Sequence, residues 1–178
     1  MTAQHQARHQ QPFDISYFEP ETTMQTFKLG QRSLAELSGI HPDLVRVVNR
    51  AIEITPIDFS VIDGVRTIEE QRAFVANGAS QTMTSRHLTG HAVDLAAFIG
   101  NKARWEMDLL CKVAMAMREA ARECQIPIRW GGNWNVLLTD TDTPPDEIVH
   151  DYIQKRISQG RKPFVDAPHY ELPQPLYP

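Results

Sequence analysis

Apolar residues recur at helical spacing through Leu44, Val47, Val48, Ala51 and Ile52. That stripe predicts an amphipathic helix, opened by Pro42 at a first helical position and stopped by Pro56. Upstream, Ser33-Leu34-Ala35-Glu36 reads as the capping box of a short helix that Gly39 ends. Alternation over Asp58–Ile62, closed by Asp63-Gly64, predicts a buried strand. Thr67-Ile68-Glu69-Glu70 is a second capping box and opens a helix running to Gly78. Ala92–Ala97 is short and apolar behind Gly90, which fits a central strand carrying Asp94. The longest helical period spans about Lys102 to Gln125, with Trp105, Leu109, Val113, Ala116, Met117, Ala120 and Cys124 on one stripe. Pro127 breaks it, and Ile128-Arg129-Trp130 predicts a strand leading into Gly131-Gly132. A polar turn from Thr139 to Pro145 precedes a surface helix, Asp146 to Ser158, with Ile148, Tyr152, Ile153 and Ile157 inward and Gly160 as its cap. His169 to Leu172 reads as a last strand before Pro173, Pro175 and Pro178 end regular structure.

These elements describe an α+β protein: a small, mainly antiparallel sheet with helices packed on it, in a single domain over residues 27–178. Residues 1–26 are rich in Gln, His and Thr, lack periodicity, and read as a flexible polar N-terminal arm. The 178 residues, 42% hydrophobic and 22% charged, are enough for one real core. A net charge of -4 and the absence of any long basic run argue against nucleic acid as a partner. No apolar run is long enough to cross a membrane and no leader pattern opens the chain, so the expectation is a protein made in a cytoplasm without membrane insertion. Cys111 and Cys124 fall in one helix, roughly 20 Å apart at 1.5 Å per residue. That is too far for a disulfide, and both read as packing residues.

The chemistry gathers in two fragments. Ser85-Arg86-His87-Leu88-Thr89-Gly90-His91-Ala92-Val93-Asp94 offers an imidazole and a carboxylate, and Asp166-Ala167-Pro168-His169 offers a second imidazole with another carboxylate beside it. His87, Asp94 and His169 are normal ligands for Zn²⁺, and three ligands with one open position describe a catalytic site. A metal-activated water needs a proton acceptor, for which Asp166 is the candidate and Glu171, on the same strand face as His169, the rival. His91, four residues after His87, would share its face only in a helix; beside Gly90 it reads as an outer or substrate-facing residue. Arg66, at the end of a strand, reads either as a donor to the oxyanion of an attacked carbonyl or as a surface ion pair. Trp130-Gly131-Gly132-Asn133-Trp134 reads either as a groove rim or as core tryptophans beside a turn.

The Ser85–Leu95 segment, Arg129-Trp130-Gly131-Gly132 and Pro168-His169-Tyr170-Glu171-Leu172 resemble the phage L-alanyl-D-glutamate endopeptidases, endolysins related to D-alanyl-D-alanine carboxypeptidases. Ser33-Leu34, His41-Pro42-Asp43-Leu44 and Gly64-Val65-Arg66-Thr67 are similar too, so the resemblance runs from about residue 29 to 172. It implies a single zinc-peptidase domain with His87, Asp94 and His169 on the metal, Asp166 as the base and Arg66 against substrate. Ser85, Arg86, Trp130 and Gly131 would line the substrate groove. The implied reaction is cleavage of the L-Ala–D-Glu bond in the stem peptide of bacterial peptidoglycan, by a monomer, during host lysis and after release by a separate protein. Two departures stand out: Asn133 where Asp is common, and an inserted helical segment near 139–160. Within the same chemistry the rival is a D-alanyl-D-alanine carboxypeptidase; outside it, a catalytically silent wall-binding protein.

Overall fold

A computed structural model describes residues 26–178, so the polar arm lies, apart from Thr26, outside the described residues. In chain order the elements are α1 (Gln31–Glu36), α2 (Pro42–Ile54), β1 (Phe59–Asp63), α3 (Ile68–Ala76), β2 (Ala92–Ile99), β3 (Lys102–Arg104), α4 (Met107–Cys124), β4 (Arg129–Trp130), β5 (Asn133–Leu137), α5 (Pro145–Ser158) and β6 (His169–Glu171). Short 3-10 turns occupy Arg86–Thr89 and Leu138–Asp140. The strands form one sheet in the order β1-β2-β6-β4-β5, with β3 folded back onto the far end of β2, and each pairing is antiparallel. The α+β class read from the sequence is the class observed. Among the described residues no helix is long and apolar enough to cross a membrane.

Alternation along the strands sorts the residues into two faces. Val93 and Leu95 of β2, Trp130 of β4 and Tyr170 of β6 are buried in the core with Leu44, Val47, Val48 and Ala51 of α2 and Val113, Ala114 and Met117 of α4. The alternate positions, Asp94, His169, Glu171 and Arg129, meet one another on the other face. Register completes the placement: Asp94 lies opposite His169, and Glu171 opposite Arg129.

Several sequence expectations are corrected. Ser33 caps nothing; α1 starts from Gly30, and the buried Ser33 hydroxyl instead accepts from the Val61 amide at 3.1 Å. The long helix begins at Met107, because Lys102–Arg104 pair with Ile99–Ala97 as a hairpin. Trp105 therefore leaves the buried stripe and is 54% exposed. β5, hydrogen-bonded to β4, is a strand that the sequence reading did not include. In α5 Ile157 faces outward at 56% exposure, and Val149 takes an inward place beside Ile148 and Tyr152. The second capping box stands: Thr67 accepts from the Glu70 amide while Glu70 accepts from that of Thr67. Both cysteines are free thiols.

Arg118 and Arg122 of α4 position the segment that leads into α5. Arg118 donates to the carbonyls of Thr141 and Thr143, and Arg122 to those of Thr139 and Thr141, at 2.7–3.1 Å. These carbonyls belong to a half-buried irregular stretch with no ladder of its own, so the arginine donors supply their partners.

Trp130, 1% exposed, stacks on Tyr170 and donates its Nε1–H to the Ala167 carbonyl at 2.7 Å. It belongs to the core and not to a groove rim. Trp130→Ala is expected to cost about 3–5 kcal/mol of folding stability, the usual loss for a buried aromatic, read from urea denaturation of metal-free protein. A loss under about 1 kcal/mol would contradict this placement.

Candidate active site

His87 reaches the sheet through a turn that only glycine closes. Ser85 starts the 3-10 turn by accepting from the His87 amide, and Gly90 ends it with φ +70. A Cβ on Gly90 would overlap the Gly39 carbonyl, so this left-handed, closely packed position excludes other residues. The chain then enters β2, and the fully buried His87 ring lies against Asp94, seven residues on.

Three side-chain atoms converge here. His87 Nε2, His169 Nδ1 and Asp94 Oδ1 lie 3.1–3.2 Å from one another. The opposite ring nitrogens fix the tautomers. His87 Nδ1 lies 2.7 Å from the Gly64 carbonyl, and His169 Nε2 lies 2.8 Å from Glu171 Oε2. Both partners are acceptors, so those nitrogens carry the protons, leaving two imidazole lone pairs and a carboxylate oxygen facing a common point. Such an array is repulsive until a cation or an added proton enters it. Tetrahedral ligands about 2.0 Å from an ion are separated by about 3.3 Å, close to the edges of this triangle. The group thus fits a small divalent cation.

Protonation follows from the same arrangement. Burial works against charging His169, but Asp94 and Glu171 on its two sides outweigh it and raise the imidazole to about 9. Burial also pushes the Asp94 carboxyl up, yet the His169 and His87 rings against its oxygen outweigh this and hold it far below its ordinary value. Glu171, likewise buried, is kept below its ordinary value by His169 and by Arg129, whose Nε donates to it at 2.8 Å. That engagement orients His169 and leaves Glu171 poorly placed as the base. Asp166 differs: its side chain makes no hydrogen bond among the described residues, and burial, reinforced by nearby Asp94, pushes its carboxyl above its ordinary value. It faces the same cleft, of about 620 Å³, as His87, Asp94 and His169.

The Trp-Gly-Gly segment braces Asp166. Gly131 accepts from the Asp166 amide and donates to the His169 carbonyl, both at 2.9 Å, and a Cβ on Gly131 would overlap the Asp166 carbonyl. Neither Trp130 nor Gly131 lines the cleft; Trp134 does, its ring 5.2 Å from that of His169. Ser85 and Arg86 do line it, with Arg86 donating to the Tyr177 carbonyl. His91 turns away to pack on His41, outside the ligand triangle.

Arg66, 8% exposed, is committed to protein acceptors. It donates Nε to Asp63 at 2.6 Å, Nη1 to the buried Gln71 at 3.3 Å and Nη2 to Asp94 Oδ2 at 2.6 Å. Its guanidinium therefore grips the outer oxygen of the same carboxylate whose inner oxygen faces the two imidazoles. Of the Trp130–Trp134 segment, the groove-rim reading fits Trp134 and not Trp130, whereas the Asp63–Arg66–Gln71 support carries no local sequence signal, since its partners are set by the fold.

Known proteins resemble this chain in both sequence and structure. The family described as phage L-alanyl-D-glutamate peptidase matches residues 25–172. An L-alanyl-D-glutamate peptidase of Escherichia phage T5 is 35% identical over 114 residues, covering 62% of this chain and 83% of the relative. A second, from Listeria phage A118, is 30% identical over 107 residues, 58% of this chain but 37% of that longer protein. Among solved structures, the Serratia marcescens L-Ala D-Glu endopeptidase ChiX superposes with a TM-score of 0.66 at 37% identity, over 88% of this chain and 98% of that one.

Proposed function

The chain belongs to the phage L-alanyl-D-glutamate peptidase family, and from that footing we propose that it is a zinc-dependent endolysin cutting the L-Ala–D-Glu bond of the peptidoglycan stem peptide. The observation that carries the chemistry is the triangle of two imidazole lone pairs and one carboxylate oxygen opening into a cleft beside Asp166, a carboxylate without a partner among the described residues. His87, Asp94 and His169 hold the ion, which when bound supplies Lewis acidity and an acidified water at neutral pH.

The protein's own groups do the rest. Asp166, held by Gly131 and raised by burial, takes a proton from the attacking water and returns it to the departing D-Glu amine. Glu171 fixes the His169 tautomer, and Arg129 fixes Glu171. Arg66 acts through Asp94, as a positioning residue that aims its carboxylate and partly neutralises it. Ser85 and Arg86 form part of the substrate wall. The cellular role that goes with this chemistry is attack on the host wall at lysis.

Metal uptake tests the site. A raised His169 pKa means that the metal-free protein keeps its proton until the pH passes about 9. Zn²⁺ titration at pH 7, in two buffers of different ionisation enthalpy, is therefore expected to give one ion per chain with release of about one proton. Affinity should rise about tenfold per pH unit from pH 7 towards 9 and then flatten. Uptake without proton release, or no tight uptake, would contradict the assignment.

A further inference from the structure

Four arginines line the cleft, and two of them, Arg66 and Arg129, sit in ion pairs. Arg66 is bound to Asp63 and Asp94, Arg129 to Glu171, and Arg86 to the Tyr177 carbonyl. Arg156, contributed by α5 of the inserted segment, is like Arg86 held by a main-chain carbonyl and not by a carboxylate. Its Nε and Nη2 both hold the Lys162 carbonyl, at 3.3 and 3.0 Å. Among the described residues it joins no ion pair, unlike Arg66 and Arg129.

That carbonyl fixes the guanidinium in place and leaves its charge uncompensated. The wall it belongs to is continuous with the ligand triangle. Two residues after Lys162, Phe164 stacks on Trp134 and accepts its Nε1–H at 2.9 Å, and Trp134 packs on His169. A chain of net charge -4 thus directs a held, unpaired, planar cation into its reaction cleft. A planar guanidinium with free N–H groups is matched to a carboxylate, which it binds through directed, charge-assisted hydrogen bonds.

We propose that Arg156 is a substrate-binding residue that recognises a free carboxylate of the peptide on the D-Glu side of the cut bond. The proposal rests on the L-Ala–D-Glu reading. Glutamate placed in a peptide through one carboxyl keeps the other free, so a carboxylate necessarily accompanies this substrate. A carboxylate further along the peptide offers the same chemistry.

The test uses the full, zinc-loaded chain with three synthetic stem peptides: one with every carboxylate free, one with the free D-Glu carboxyl amidated, and one amidated only beyond D-Glu. The wild type is expected to lose about tenfold in kcat/KM on one of the two amides, mainly through KM, which identifies the carboxylate. Arg156→Gln should lose about the same on the free peptide and nothing further on that amide, because the two changes remove one interaction. Arg156→Lys should recover part of the loss, with zinc content and melting temperature unchanged in both variants. Equal KM for Arg156→Gln and wild type on the free peptide overturns the proposal and leaves the bond assignment intact. An equal loss on all three peptides also overturns it, by making Arg156 merely structural. A wild type that cuts none of the three at the L-Ala–D-Glu bond overturns the bond assignment and this proposal together.

Discussion

Asp166→Ala is expected to lower kcat about 10²–10⁴-fold, the usual worth of a positioned acid–base group, while zinc content and melting temperature stay near wild type. The reason is geometric. Asp166 is outside the His87–Asp94–His169 triangle, its side chain makes no hydrogen bond among the described residues, and its backbone, not its carboxylate, holds the turn to Gly131 and His169. Removing the carboxylate therefore takes away a proton acceptor and little else. Asp166→Asn should behave the same, since an amide keeps the shape but cannot take the proton. Steady-state kinetics beside elemental analysis reads both quantities. Full activity in either variant would return the base to Glu171 and would require Glu171 to leave His169 during turnover.

His169→Ala is expected to abolish both tight zinc uptake and activity. It deletes one ligand atom and also strands Glu171, which would be left buried with only Arg129 to offset its charge. Glu171→Gln separates the two contributions. It keeps a group near His169 Nε2 but removes the charge that holds the tautomer, so zinc affinity should fall by about 10–100-fold and not vanish. Competition with a chelator of known affinity measures both variants. Zinc affinity within about threefold of wild type in His169→Ala would mean that the ion is held elsewhere.

The His87–Asp94–His169 group that could hold a metal was legible in the sequence because its parts obey local rules. Gly90 marks the turn, period-2 alternation places Asp94 on the face opposite Val93 and Leu95, and Glu171 shares the face of His169. The parts that were not legible depend on partners distant in sequence. Ser33 has the spacing of a capping residue, but its hydroxyl is captured by Val61, 28 positions away. Lys102–Trp105 continue the helical period of α4, yet pairing with the end of β2 overrides it, and Trp105 faces outward as a result. Asn133–Leu137 has two asparagines in five residues, a weak strand former, and becomes β5 only through β4. Arg66 shows the limit most plainly: its position at a strand end fitted an oxyanion donor, while its contacts to Asp63, Gln71 and Asp94 make it a support for the Asp94 carboxylate.

The bond that is cut tests the account most directly. Purified Gram-negative sacculi digested with the zinc-loaded protein, beside Asp166→Ala, should release peptides with a free D-Glu amino terminus and leave glycan strands ending in L-Ala carboxylate, both identified by mass spectrometry. The Asp166→Ala control should release almost none. Free D-Ala from the wild type would instead assign the site to a carboxypeptidase, and the absence of any released peptide would contradict the peptidase reading altogether.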